Sequence, residues 1–178
     1  MRILVAITGA SGLEYGRRLV EVIKQNKKAE ICTVISSGAK KVAAAEGTGL
    51  PQADYKEDDF SCPYASGSNP PDAVVVIPCS LKSLGEIANG VGNNLINRAS
   101  EVALKERKKL ILVVRDTPYS LITIRNMEGV TLAGGVILPA TPGFYGKPEK
   151  VDDLIDFVVA RVLDQLGLEH SLSRRWRE

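Results

Sequence analysis

"RILVAITGASG" (residues 2–12) joins a continuous apolar run to a turn of small residues, and its reading decides the fold. "RILVAI" (2–7) is short, rich in β-branched residues and lacks polar alternation. That pattern predicts a strand buried on both faces, as in a parallel sheet. "TGASG" (8–12) lies where such a strand turns into a helix. Leu13, Leu19, Val20 and Ile23 then form a rough helical stripe, with Ser11 as a candidate cap.

The alternation continues outward. "EICTVIS" (30–36) reads as a second strand and "SGAKKVAAAE" (37–46) as a helix. "DAVVVIP" (72–78), "KLILVV" (109–114) and "GGVILP" (134–139) are further strands, and helices are expected near 80–89, 93–107, 118–128 and 151–166. In the last helix Val151, Leu154, Ile155, Val158, Val162, Leu163 and Leu166 share one face. Asp152 and Asp153 sit in its first turn, where the dipole favours acids. Residues 47–71 carry seven Gly and Pro residues without a period, so a long connection with little regular structure is expected. "TPGFYGKPEK" (141–150) is a loop.

Strands alternating with helices imply right-handed crossovers and an α/β fold, a three-layer, doubly wound, mostly parallel sheet. The 178 residues suit one domain spanning 1–178. Net charge is +2, with acids and bases interspersed, which gives no footprint for nucleic acid or a membrane surface. No apolar run approaches the ~20 residues of a membrane span. The first residues read as core strand rather than as a secretory leader. Cys32, Cys62 and Cys79 are far apart in sequence and form no CxxC pair. Neither a zinc site nor a disulfide framework is indicated, and reduced thiols fit a cytoplasmic protein. His170, in the tail, is the only histidine, which leaves too few ligands for a His-based metal site.

Ligands of a doubly wound sheet sit outside the carboxyl ends of its strands. The opening loop has the spacing Gly9-x-x-Gly12-x-x-x-Gly16, not the dinucleotide fingerprint. Ser36 stands where an NAD-binding acid would, and no Walker G-K-[ST] follows. The loop is either a tight capped turn or an anion site at a helix N-terminus. "SSG" (36–38) and "PCSLKS" (78–83) repeat the pattern. Three hydroxyl-bearing strand ends on one sheet edge suit a mononucleotide, although either cap serine taken alone reads more readily as only a cap. Arg115 follows a buried strand and reads either as a phosphate ligand or as the partner of Asp116. Tyr145 either plugs the core edge or lines a ligand. Lys105 is a solvated helix end or a base at the site, and Arg161 snorkels or binds a second anion.

"ITGASG" (7–12), the block from Pro78 to Pro118 and "GGVILPATPGFYGKPEKVDDLIDFVVARVLDQLG" (134–167) closely resemble the UbiX flavin prenyltransferase family, over nearly the whole chain. The family's older label is 3-polyprenyl-4-hydroxybenzoate decarboxylase. The resemblance implies a Rossmann-like flavoprotein that needs no metal and transfers dimethylallyl from dimethylallyl monophosphate to N5 and C6 of reduced FMN. It also implies a dodecamer of trimers with FMN at subunit contacts, and a UbiD-type decarboxylase as recipient of the product. By motif, Gly9, Ala10, Ser11, Ser36, Ser80, Leu81, Lys82, Ser83 and Arg115 would hold FMN, with Ser11 near N5. Lys105, Tyr145, Arg161 and Arg98 would receive the substrate phosphate. Glu46 matches an acid implicated in proton handling, and Phe60 and Ser66 would line the dimethylallyl pocket. The chain departs from the pattern at Asp116, where the family often has Glu, and at Phe60, where it has Trp. Rival readings are an FMN-dependent decarboxylase of the phosphopantothenoylcysteine type and a flavin carrier. The first relies on a histidine in its active region, which a tail histidine does not supply; the second needs no phosphate site beside the flavin. The basic tail "SRRWRE" (173–178) either closes over the pocket with Trp176 as anchor, the favoured reading, or frays.

Overall fold

The computed structural model describes residues 1–25 and 29–177. Six strands form one sheet: β1 (Arg2–Ile7), β2 (Glu30–Ile35), β3 (Tyr55–Lys56), β4 (Ala73–Cys79), β5 (Lys109–Val114) and β6 (Val136–Ile137). Their order is β3-β2-β1-β4-β5-β6, and every pairing is parallel. The helices are α1 (Leu13–Gln25), α2 (Ser37–Glu46), α3 (Leu81–Ala88), α4 (Leu95–Lys105), α5 (Leu121–Leu132) and α6 (Val151–Leu166).

The unbroken apolar run in β1 is explained by burial on both faces, since side chains alternate between them. Ile3 and Val5 pack against α1 and α6, whereas Leu4 and Ala6 pack against the layer of α3, α4 and α5. Ile7 and Ile35 extend the first face to α2. The three-layer, doubly wound arrangement read from the sequence is therefore present. Strand order reverses between β1 and β4, which places the ligand crevice of such a sheet at their carboxyl ends.

Gly16 explains how closely α1 sits on the sheet. A methyl group there would come within 2.4 Å of the Ile77 carbonyl oxygen and 2.9 Å of Ile7. Backbone cannot yield as a flexible side chain does. Gly16→Ala is expected to cost about 1–3 kcal/mol, read as a lower urea midpoint at unchanged slope. A wild-type midpoint would contradict this packing.

Several boundaries differ from expectation. The connection over 47–71 contains β3 and a single 3₁₀ turn, Pro63–Ala65. It is held by polar clasps rather than a periodic apolar face. Asp54 Oδ2 accepts from the Thr33 N–H at 2.7 Å, and the Asp54 N–H donates to the Thr33 carbonyl at 2.8 Å. Asp72 and Pro70 receive the backbone and guanidinium of Arg2. The helix expected at 118–128 begins at Leu121, because the Ser120 hydroxyl accepts from the Thr123 N–H and caps it there. The strand expected at 134–139 is regular only at Val136 and Ile137, although the Leu138 and Ala140 N–H groups still donate to the Leu112 and Val114 carbonyls of β5. Helix α1 starts directly after Gly12, one residue later than a Ser11 cap would start it. Val151, assigned to the buried face of α6, is 70% exposed, while Val159 and Ala160 are buried. Cys32 and Cys62, distant in sequence, meet in the core as free thiols, and the hydrogen bond from Cys32 lowers the Cys62 thiol against the effect of burial.

Candidate functional site

The three hydroxyl-bearing loops do converge. Thr8, just beyond β1, clips the first to the third: its hydroxyl donates to the Pro78 carbonyl and accepts from the Ser80 N–H, both at 2.8 Å. The first and second loops touch through glycine. A Cβ on Gly9 would lie 2.8 Å from the Gly38 carbonyl carbon, so both chains pass where no side chain fits. Ser36 and Ser80 are each true N-caps, of α2 and α3, accepting from the N–H groups of Ala39 and Ser83. Ser80 also donates to the Ser83 hydroxyl at 3.1 Å.

Between these loops lies a cavity of about 260 Å³, whose walls include Gly9, Ser36, Ser80, Leu81, Lys82 and Ser83. Two helix N-termini open into it, which favours an anion. Ser37, Gly38, Glu57, Glu86, Asn94 and Ile96 complete the lining. Glu57, Glu86 and Asn94 were not singled out from the sequence. Glu57 sits in the aperiodic connection, and its carboxylate accepts from the Ser37 N–H at 2.7 Å. Ala10 is buried beside the cavity and gives its N–H to the Thr8 carbonyl; Ser11 is half-buried in the turn.

Arg115 leaves β5 at the same sheet edge and lines a neighbouring cavity with Asp116, Tyr119 and Thr141. The Arg115–Asp116 pair left open by the sequence does not form, because the Asp116 carboxylate accepts from the Thr117 N–H at 2.8 Å. Arg115 Nε is buried without a hydrogen-bond partner. A buried orphan donor on a cation is costly unless something accepts from it. Burial raises the Tyr15 and Tyr119 hydroxyls, and the charge of the nearby Arg115 opposes that rise in both.

Tyr145 and the C-terminal segment form a second cluster. The Tyr145 ring packs edge-on against Phe157 of α6 at 5.6 Å and against Trp176 at 5.4 Å. Trp176 touches Tyr145 while remaining 67% exposed; Glu178 of that tail lies outside the described residues. Arg161 donates to Asp164 at 2.5 Å, and the same carboxylate receives Arg175 at 3.0 Å and His170 at 3.1 Å. Burial raises the Asp164 carboxyl, but the hydrogen bonds from His170 and Arg175, with the charges of Arg175 and Arg161, outweigh it and hold the group below its usual range. A carboxyl depressed in the folded state contributes stability above its unfolded value, near 3.9, and loses it as pH falls through the folded one. The tail should therefore release only in strong acid. Fluorescence of Trp176, the sole tryptophan, should report it, and Asp164→Asn should show the released signal already at pH 7. An Asp164→Asn spectrum matching wild type would contradict the clasp.

The remaining residues lie elsewhere. Arg98 and Lys105 project from α4, on the opposite side of the sheet from α6 and Arg161. Arg98 donates to the Ala65 carbonyl at 3.0 Å and pairs with Glu101; Lys105 pairs with Glu106 beside Gly67. Ser66 shares a hydrogen bond with Ser68, and Phe60 is half exposed in the turn closed by Asp59. Glu46 ends α2, roughly 14 Å along the helix from its capped start at the cavity. One chain therefore assembles the Gly9–Ser36–Ser80–Ser83 set, with Arg115 beside it. It groups Tyr145 with the Arg161–Asp164–Arg175 chain of contacts, and leaves Lys105 and Glu46 apart from both.

A flavoprotein family model matches residues 1–163. The flavin prenyltransferase UbiX of Methanocaldococcus jannaschii is 48% identical over 183 residues, covering 99% of this chain and 98% of that protein. A crystal structure of AnUbiX in complex with FMN and dimethylallyl pyrophosphate superposes with a TM-score of 0.94 at 40% identity, covering 99% of this chain and 97% of that one. A dodecameric FMN-dependent UbiX-like decarboxylase from Escherichia coli O157:H7 superposes at 0.93 and 38% identity over the whole of both chains.

Proposed function

The chain belongs to the flavoprotein family and, within it, to the UbiX flavin prenyltransferases, and from that premise we propose how its residues divide the work. FMN lies in the crevice at the β1–β4 switch point as acceptor of a dimethylallyl group from dimethylallyl monophosphate. The observation that carries this is the glycine-lined, doubly capped cavity with the orphaned Arg115 Nε beside it. These residues fit a flavin mononucleotide. Two helix N-termini and the serine loops suit its phosphate, and Arg115 has an unused donor to offer it.

Bound there in reduced form, FMN supplies the nucleophilic atoms, N5 and C6. Gly9 and Ala10 shape the ring pocket, and Ser11 supplies a hydroxyl at its edge. Ser36 and the loop Ser80–Ser83, with Leu81 and Lys82 in its walls, hold the phosphate end. Phe60 and Ser66 enclose the dimethylallyl group, and an aromatic face steadies developing allylic cation character. Lys105, Arg98, Tyr145 and Arg161 receive the departing phosphate, which preorganised donors stabilise without a metal. The ring proton passes either to that phosphate or to Glu46.

Lys105 and Arg161 lie on opposite faces of one chain's sheet, so this division requires neighbouring copies. Leu121, Ile122, Ile124 and Leu132 leave α5 with an exposed apolar side, a surface suited to self-association. By likeness to the dodecameric UbiX-like structure we infer a dodecamer built from trimers, working in the cytoplasm and delivering its product to a UbiD-type decarboxylase. Among the described residues, no helix is long and apolar enough to cross a membrane.

Mass spectrometry of the flavin decides the reading, after the protein, reduced FMN and dimethylallyl monophosphate are incubated without oxygen. A gain of one C5 unit is expected. Unchanged FMN would favour a flavin carrier or a decarboxylase.

A further inference from the structure

Along residues 47–70 the long connection buries one side chain, Cys62, and buries it against a second thiol. Cys62 is 2% exposed, and Cys32, on β2, is 7% exposed. The two sulfurs share a hydrogen bond although α2 and β3 lie between them in sequence. Both thiols are free, and the proposed transfer uses neither.

Other fastenings of this connection are polar bonds and half-buried side chains. Asp54 clasps Thr33, the Glu57 carbonyl accepts from the Leu95 N–H at 2.7 Å, and the Ala65 carbonyl accepts from Arg98 Nε at 3.0 Å. Tyr55 and Tyr64 pack only partly against the core. Ser61 and Pro63, on either side of Cys62, are exposed. A segment held in this way opens locally at less cost than a buried strand. A small oxidant then reaches Cys62, while Cys32 stays on β2 as its neighbour.

Contact between the sulfurs meets the first requirement of a disulfide. The pair is also polarised. The hydrogen bond from Cys32 lowers the Cys62 thiol and the backbone of Tyr64 adds to this, against burial and the charge of Asp59. The same hydrogen bond, with burial and the charge of Asp54, raises the Cys32 thiol. Cys62 is therefore the better nucleophile, because the thiolate is the reactive form, and Cys32 stands where a resolving thiol must.

We propose that Cys32 and Cys62 form a reversible disulfide in response to hydrogen peroxide, a latch that fastens the 47–71 connection to β2. The inference goes beyond the prenyl-transfer reading and does not rest on it. The Cys62 thiolate attacks the O–O bond of peroxide, gaining the S–OH group of a sulfenic acid and releasing hydroxide, which takes up the proton that Cys62 lost. The Cys32 sulfur then forms the S–S bond, and the sulfenic hydroxyl leaves with the Cys32 proton as water. The thiol pair loses two electrons and peroxide is reduced to water; a dithiol reductant reverses the change. Closed, the latch ties down the segment that carries Phe60 and Ser66.

The test treats the assembled protein, loaded with oxidised FMN and freed of reductant, with a slight excess of hydrogen peroxide. Titratable thiols in the denatured protein should fall from three per chain to one. The intact chain should lose two hydrogens, and non-reducing peptide mapping should join Cys32 to Cys62. Cys79, fully buried in β4 with its thiol raised by that burial, should stay reduced. Amide exchange over residues 57–66 should slow about tenfold, and dithiothreitol should reverse every change. Cys32→Ala should stop at the sulfenic acid, trapped by dimedone, with exchange as in the reduced wild type. Three thiols remaining, oxygen added to Cys62 without a link, or a link that leaves loop exchange unchanged would each overturn the latch. The wild-type peptide map and exchange decide the matter even where Cys32→Ala fails to fold.

Discussion

Arg161→Ala is expected to slow single-turnover prenyl transfer by about 10²–10³-fold while FMN affinity stays within about twofold of wild type. Removing one preorganised donor from a developing anion commonly costs that much. The two readouts separate because Arg161 sits on α6, outside the serine-lined cavity. Asp164 already orients the guanidinium, so little reorganisation is needed when the phosphate departs. Stopped-flow and flavin titration on the same preparation check both halves. A full rate would remove Arg161 from the phosphate site, and lost FMN would make its role structural. Tyr145→Phe should follow the same pattern with a smaller loss, since a hydroxyl is a weaker donor to an anion than a guanidinium.

Gly9→Ala is the reverse case and should act on the cofactor. The added methyl would stand 2.8 Å from the Gly38 carbonyl carbon and 3.0 Å from its Cα, and neither backbone atom can swing aside. The loops after β1 and β2 must part, and with them the capped start of α2. Overpacking of this kind costs about 1–3 kcal/mol, which, if it falls on the binding surface, corresponds to roughly 5–150-fold in FMN dissociation constant. Quenching of flavin fluorescence measures it. A wild-type constant would mean that the two loops do not form the binding surface.

Much of this architecture was legible in the residues, for reasons that differ between elements. β1 and α6 announce themselves through an unbroken apolar run and a helical stripe, and α2 and α6 have the bounds expected of them. β3 was invisible because two residues make no period, and polar clasps from Asp54 and Glu57 hold that segment. The start of α5 was misjudged because the cap is Ser120 rather than an earlier residue.

The candidate site divides along the same line. Gly9, Ser36 and Ser80 sit at strand ends, where topology alone sends a ligand, so sequence order was enough to find them. Glu57 and the Cys32–Cys62 contact depend on a loop folding back over the sheet, which no local pattern encodes. The proposed phosphate-binding group is harder still. Lys105 and Arg161 are separated by the sheet within one chain, so motif resemblance could name them but no reading of a single chain could join them.

Crystals of the assembled protein grown with FMN test the central claim most directly. The expected map places the flavin phosphate against Ser36 and Ser80, the ring beside Gly9 and Arg115, and Lys105 and Arg161 from different copies around one pocket. Flavin density away from those strand ends, with Arg115 Nε still unpartnered, would contradict it.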